Sequence, residues 1–348
     1  MNLFSGFFRK GKKRESVVLV DIGAASVAGA YARFTEGELP ILLYTRRLPV
    51  EPREGEPQER AMLRALKILG DTLIREGAPA LMRHTGSGRS DLILASIDAP
   101  WQKTTVRTER FEQKMPFLFT KSLASEIVKK TSVTVPRKIL ADETVIGTIL
   151  NGYRTNSPYG KRAHRATLII LTSLIDESIA DHIVSVLRSV YHTKRILPIA
   201  GSSLRYQAMH AAFPHERDAL IIDATGPQTS LALIRRGLSV SVLEAANTHD
   251  TDSWTRNVID ELAELAKRYP LPRTIFLLAR EPEITVLREK LDAANLGKIW
   301  LSDTPPHTVS VLASHIGGLV HQATTAPADL PLLLMALFYQ HSAFGEKT

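Results

Sequence analysis

The sequence predicts an α/β protein made of two similar lobes, with a smaller α+β subdomain inserted between the repeated units. Three observations carry that prediction. The β-branched run Val17 to Val20 ends in Asp21 and a small-residue turn, Ile22-Gly23-Ala24-Ala25-Ser26, and leads into the apolar segments Val27 to Phe34 and Ile41 to Tyr44. The same pattern returns in the second half: Ala219 to Ile222, Asp223, the turn Ala224-Thr225-Gly226-Pro227-Gln228-Thr229, then Leu231 to Ile234 and Leu238 to Leu243. Both units read strand, turn, strand, turn, strand, and repetition at that separation marks two related halves of one molecule. Each unit is followed by sequence with helical periodicity, and the two Asp-headed turns are expected to face each other.

The elements follow in chain order. Residues 1–16 form a tail in which Leu3, Phe4, Phe7 and Phe8 precede a basic cluster. Residues 17–90 are the first part of the first lobe, closed by the flexible stretch Arg83 to Ser90. Residues 91–204 are assigned to the insert, with strands at Leu92 to Ile97, Thr104 to Thr108, Val145 to Leu150 and Ala166 to Leu171, and helices at Phe119 to Lys130 and Ile179 to Tyr191; its last part is open to returning to the first lobe. The loop from Asn151 to Lys161 is dense in turn residues. Residues 205–348 form the second lobe. Within it Trp254, Val258, Leu262, Leu265 and Tyr269 share one helical face, entered through Thr251-Asp252-Ser253 and closed by Pro270. The segment Leu330 to Tyr339 is apolar nearly all round, which predicts a buried closing helix.

Composition narrows the function. The 348 residues include no Cys, so disulfide frameworks, thiolate nucleophiles and thiolate metal sites are excluded. The net charge of +8 is concentrated at one end, where Arg9, Lys10, Lys12, Lys13 and Arg14 stand without an intervening acid. The remaining chain is nearly balanced and only 6% aromatic, which argues against a nucleic-acid groove. The tail is too short to span a bilayer, and its charges follow the apolar residues, unlike a signal peptide. It reads either as a frayed terminus or as a weak interfacial anchor, with Phe4, Phe7 and Phe8 at the headgroup boundary and Lys12 and Lys13 facing anionic lipid.

These residues resemble the actin-like ATPase superfamily, in the branch of the bacterial division protein FtsA and the type IV pilus assembly protein PilM. Val17 to Val27 looks like the first phosphate motif and Ile221 to Thr229 like a worn second one. Thr144-Val145-Ile146, Leu150-Asn151-Gly152-Tyr153 and Asn156-Ser157-Pro158-Tyr159-Gly160 are similar to the small subdomain of that branch. The last loop leans towards FtsA, whereas the short chain and basic N-terminus lean towards PilM. The resemblance implies a duplicated, ribonuclease H-like pair of lobes and a nucleotide cleft. It also implies a cytoplasmic adaptor role at the inner face of the cell membrane. Inner-membrane assembly proteins or their cytoplasmic tails are the implied partners, with self-association and filament formation left open.

The implied cofactors are ATP and Mg²⁺, and the residues that would hold them are Asp21, Gly23, Ala24, Ala25, Ser26, Asp223, Gly226 and Thr229. Backbone N–H groups of two facing turns cradle phosphate, and one carboxylate from each half organises a hydrated cation. Several features predict that this binding is weak or lost. The lysine that the resemblance leads one to expect is replaced by Ser26 or Ala28, so a phosphate-neutralising cation is missing. Pro227 removes an N–H donor from the second turn, Ser230 stands where an acid is expected, and Arg280-Glu281-Pro282 replaces the small residues of an adenosine loop. Asp21 and Asp223 are then either Mg²⁺ organisers or relics that cap their own turns. No residue stands out as a catalytic base; Thr229 is the best remaining polar group for positioning water.

Two further readings stay open. An active, polymerising ATPase would need the cleft intact, and a small-molecule kinase of the same superfamily would need a carboxylate aimed at a substrate hydroxyl. His249-Asp250-Thr251-Asp252 holds metal-ligand types, but its position before a helix favours capping. For an adaptor, a docking surface is expected at or beside the insert. Trp101, in a Pro-containing loop, is its first candidate, ahead of Met115-Pro116-Phe117-Leu118-Phe119, where core packing competes.

Overall fold

The computed structural model describes residues 12–155, 157–226, 228–246, 250–294, 296–300 and 304–344. The first lobe opens with an antiparallel meander, β1 (Arg14–Ile22), β2 (Ser26–Thr35) and β3 (Ile41–Pro49). Two helices, α1 (Gln58–Thr72) and α2 (Ala78–Thr85), carry the chain across the sheet to β4 (Leu92–Ile97), which lies parallel to β1. The insert follows: β5 (Gln102–Phe119), α3 (Lys121–Lys130), β6 (Lys138–Leu150), β7 (Tyr153–Arg154) and β8 (Lys161–Asp176). Its sheet has the order β5-β8-β6-β7. The side chain of Thr120 caps α3 by accepting from the Leu123 N–H, and Ala124 and Ile127 pack that helix on the insert's own small core with Phe119, Leu168 and Ile170.

The chain then returns to the first lobe through α4 (Glu177–Tyr191) and β9 (Ile196–Ala200), which pairs in parallel with β4. The insert therefore spans 102–176. The expected start at 91 moves to 102, because Leu92–Ile97 is a strand of the first lobe's sheet, and the last part of the 91–204 range returns to the first lobe, the option the sequence left open, with Ile196–Ala200 in that sheet. Helix α5 (Gly201–Ala212) crosses to the second lobe, where β10 (Ala219–Asp223), β11 (Gln228–Arg235), β12 (Leu238–Ala246), α6 (Thr251–Ala266), β13 (Thr274–Leu278), α7 (Glu281–Ala293) and β14 (His307–Ser310) follow. A short helix α8 (Ala313–Ile316), a two-residue strand β15 (His321–Gln322) on the edge of β3, and α9 (Leu330–Phe344) complete the described chain.

The duplication is explicit in the sheets. The first runs β3-β2-β1-β4-β9, with β15 added outside β3, and the second runs β12-β11-β10-β13-β14. In both, the Asp-bearing strand is antiparallel to its hairpin partner on one side and parallel to a crossover strand on the other. Period-2 alternation sorts the side chains. Val18, Val20 and Ile22 turn to a core shared with α1, α2 and α4, whereas Val17 and Leu19 turn to a core shared with α5, α9 and the inner face of the second sheet. Helices α6 and α7 cover the outer face of the second sheet through Trp254, Val258, Leu262, Ile284 and Leu287.

Helices α5 and α9 thus form a layer between the two sheets, and that is why both are buried nearly all round. Leu330 to Tyr339 are all buried, as the absence of a polar stripe predicts. The cap of α6 lies one residue before the expected Thr251-Asp252-Ser253: the Asp250 carboxylate accepts from the N–H groups of Asp252 and Ser253. That arrangement gives Asp250 a capping role; His249 lies outside the described residues. Among the described residues no helix is long and apolar enough to cross a membrane.

Candidate functional site

The two Asp-headed turns face each other across the layer formed by α5, as the repeat predicts. Asp21 ends β1 and Asp223 ends β10, and both are buried, at 4% and 5% exposure. A third carboxylate joins them. Asp98 follows β4, its N–H bonded to the Ile22 carbonyl, and its side chain is 5% exposed. A β-carbon placed on Gly23 would lie 3.8 Å from Asp98 Oδ2, and one placed on Gly226 would lie 3.7 Å from the same atom. The Asp98 carboxylate therefore stands between the turns of the two lobes.

Arg205, in the first turns of α5, meets these acids. Its Nη2 is 2.8 Å from Asp98 Oδ1 and its Nη1 is 3.3 Å from Asp98 Oδ2, while its Nε donates to Asp223 Oδ2. The guanidinium so joins a carboxylate of the first lobe to one of the second. Its side chain is only 7% exposed. Burial alone would lower its pKa, but Asp223, Asp98 and Asp21 outweigh burial and raise it. Burial pushes Asp98 up to about 6, with Asp21 and Asp223 adding to the rise and Arg205 opposing it. The other Asp223 oxygen accepts from the Thr225 N–H at 3.1 Å and from the Thr225 hydroxyl, so this acid also caps its own turn.

A second guanidinium sits at the first turn. Arg47 on β3 is the direct cross-strand partner of Ala28. Its Nη1 donates to Ser26 Oγ at 2.8 Å, its Nη2 to Asp21 Oδ2 at 2.9 Å, and its Nε and Nη2 form a fork on Asp329 at 2.7 and 2.9 Å. The expected lack of a cation is thereby corrected. The positive charge stands across the strand pair from Ala28, a displacement only the hairpin register exposes.

The two glycines have different duties here. Gly23 closes its turn by donating to the Ser26 carbonyl at 3.0 Å. Gly201 is demanded by sterics, because a β-carbon there would lie 1.8 Å from Asp98 Oδ1, 2.9 Å from Ser96 Oγ and 3.0 Å from Arg205 Nη1. Of the other expected residues, Ala24 is half-buried against the outer core, its carbonyl accepting from the Gln58 side chain, and Ala25 is exposed, its carbonyl accepting from the Val50 N–H. Thr229 is corrected as a water-positioning group: its side chain is fully buried, and its hydroxyl accepts from the Trp254 indole N–H at 2.8 Å. Pro227 lies outside the described residues.

As arranged, these residues do not fit a Mg²⁺–triphosphate. Asp223 has both oxygens engaged by Arg205 and Thr225, Asp98 with its arginine stands between the turns, and Ser26 and one oxygen of Asp21 are held by Arg47. Asp21 Oδ1 is the one carboxylate oxygen here that is buried without a hydrogen-bond partner, and a single oxygen does not make a hard-cation site. Past β13, where open backbone is expected for a purine, Arg280 immediately precedes α7.

The docking candidate is corrected as well. Trp101 is 7% exposed and belongs to the core shared with Ile175, Ile179 and Ala200, because the loop after β4 folds back beneath the root of the insert. Phe117 and Phe119 are buried, and Met115 and Leu118 are exposed. At the tail, Lys12 pairs with Glu38 at 2.9 Å and Lys13 lies over the Phe344 ring, 4.8 Å from its centroid. Phe4, Phe7 and Phe8 lie outside the described residues.

Beside the insert the structure offers a groove the sequence reading did not locate. It encloses about 410 Å³ and runs between β9, the insert strand β6 and the end of α9. Strand β9 is the edge of its sheet, hydrogen-bonded to β4 on one side only. Leu197 on that edge is 47% exposed, and Arg195 and Lys13 flank the groove.

Two sheets of identical strand order, facing Asp-headed turns and an α+β insert after the fourth strand define the duplicated, actin-like fold. A chain of the PilM–PilN type IV pilus biogenesis complex is similar to this one in structure, with a TM-score of 0.55 at 13% identity, over 94% of this chain and 98% of that one. A Bacteroides thetaiotaomicron protein with an actin-like ATPase fold and unknown function gives a TM-score of 0.43 at 9% identity, over 96% and 99% of the two chains. The ethanolamine utilization protein EutJ from Carboxydothermus hydrogenoformans gives 0.38 at 13% identity, over 94% and 90%. No protein-family model matches the chain, and no curated protein does.

Proposed function

We propose that this chain is an adaptor of a membrane-associated assembly of the type IV pilus kind, peripheral to the cytoplasmic face of the membrane, in which an actin-like body carries partner proteins without nucleotide turnover. The observation that carries the reading is Arg205. A guanidinium that already joins Asp98 to Asp223 removes from the cleft the carboxylates a nucleotide-bound cation would need. The likeness in fold to the pilus biogenesis chain, across nearly the whole of both molecules, supports the pilus setting over the division setting.

The reading predicts that adding millimolar Mg²⁺–ATP leaves the melting temperature unchanged. A ligand at a hundred times its dissociation constant would add about 2.7 kcal/mol, so a rise of several degrees would restore the alternative of an active ATP-binding protein.

The docking surface is assigned to the groove between β9 and β6. Its lining can hold an extended peptide, with exposed Leu197 taking an apolar side chain and the edge of β9 offering main-chain carbonyls, Pro198 having no N–H to donate. The occupant is the cytoplasmic tail of an inner-membrane assembly protein. Leu197→Asp is expected to abolish capture of such a tail in a pull-down while leaving the melting temperature near that of the parent, because the side chain is half in solvent. Capture that survives this change would move the docking surface elsewhere.

A further inference from the structure

The cleft contains more negative charge than a stable buried site tolerates alone. Asp21, Asp98 and Asp223 are each at most 5% exposed and come from both lobes, and the Asp21 charge acts on both Asp98 and Arg205. In water-excluded surroundings such a set needs cations, and here they are side chains: Arg47 pairs with Asp21, while Arg205 presents Nε to Asp223 of one lobe and its two terminal nitrogens to Asp98 of the other. A guanidinium is suited to this, since it is planar, always charged and donates in a fixed fork.

We propose that the Arg205 guanidinium is a built-in substitute for a bound divalent cation, holding carboxylates of the two lobes together so that the cleft stays closed without metal or nucleotide. Two features around the ion pair support a substitute over an incidental contact. Gly201 leaves space for Asp98 Oδ1 that any side chain would fill, so the backbone of α5 is shaped around the pair. Asp21 Oδ1 remains without a partner, and a guanidinium, which donates only in its plane, leaves it so, whereas a metal ion can gather oxygens from several directions. Taking the guanidinium away leaves a cluster of hard oxygen donors, the class that Mg²⁺ and Mn²⁺ prefer.

The inference rests on the nucleotide-independent reading of the cleft, and its test is separate from that of the reading. Full-length parent, Arg205→Met and the neutral variant combining Arg205→Met with Asp98→Asn and Asp223→Asn are melted in EDTA and in millimolar MnCl₂ or MgCl₂. The expected result is a melting temperature for Arg205→Met that falls well below the parent in EDTA and recovers with the divalent cation, while the parent and the neutral variant do not respond. Where Arg205→Met does not fold in EDTA, its yield on dilution from denaturant with and without Mn²⁺ gives the same answer. No cation-dependent recovery in either format overturns the proposal, and so does an equal response of the neutral variant, which would place the ion elsewhere. A parent that takes up Mg²⁺–ATP overturns the adaptor reading; an Arg205→Met variant indifferent to cations overturns this one.

Discussion

Gly201→Ala is expected to lower the melting temperature by several degrees, although alanine is the better helix former. By intrinsic propensity the change would stabilise α5 by up to about 1 kcal/mol. Sterics run the other way. The new β-carbon falls 1.8 Å from Asp98 Oδ1, within the space the carboxylate already fills, and 3.0 Å from Arg205 Nη1. Asp98 cannot simply turn aside, because it is 5% exposed and held by two nitrogens of Arg205. Moving it leaves a buried guanidinium and a buried carboxylate mismatched, and breaking such a pair costs about 3–5 kcal/mol. That exceeds the propensity gain severalfold, so the net sign is destabilising. Differential scanning calorimetry of the two proteins decides it, and an unchanged or higher melting temperature would show that the pair tolerates rearrangement.

Ending the chain after Asp329 is expected to abolish folding altogether. Helix α9 is buried from Leu330 to Tyr339 between the two sheets, and it packs on α5 in the layer that joins the lobes. Burial of one large aliphatic side chain is worth roughly 1.5–3 kcal/mol, so removing Leu332, Leu333, Leu334 and Leu337 together forfeits about 6–12 kcal/mol, as much as the roughly 5–15 kcal/mol net stability of a typical domain. The local chemistry agrees. Asp329 accepts from the Leu332 N–H at 3.2 Å while gripping Arg47, so the start of α9 is fixed to the first turn of the first lobe. Circular dichroism and gel filtration of the truncated chain are the measurements. A folded, monodisperse product would mean that α9 is a detachable segment, as a membrane-seeking terminal helix would be.

The parts of the fold that were legible in the sequence are those where one face is apolar and the other is wet. Ile179, Ile183, Leu187 and Val190 announced α4, and Trp254 to Leu265 announced α6, because each helix has a solvent side. Helix α5 was not legible. It opens with Gly201, Ser202 and Ser203 and is buried nearly all round, so it carries no apolar stripe to read, and Arg205 within it had no structural address. Asp98 was missed for a topological reason: Leu92–Ile97 reads equally well as a strand of the insert or of the first lobe, and only its parallel pairing with β1 puts the next residue beside Asp21. Arg47 depended on register, since a shift of one residue between β2 and β3 would have turned it to the other face. The Asp-headed turns themselves were legible because local composition determines a turn, whereas what fills the space between two turns depends on residues far apart in the chain.

The root of the insert shares its polar contacts with the helix that carries Arg205. Ser202 Oγ lies 3.1 Å from Gln102 Oε1 and 2.7 Å from Thr104 Oγ1, Thr104 meets Ser173, and Ser203 and Gln207 both donate to Asp142. All of these insert residues lie within a few positions of where β5, β6 and β8 leave the body of the protein. A displacement of the insert would therefore reach α5 and its ion pair before any other part of the body, and by linkage any coupling between the two would act in both directions.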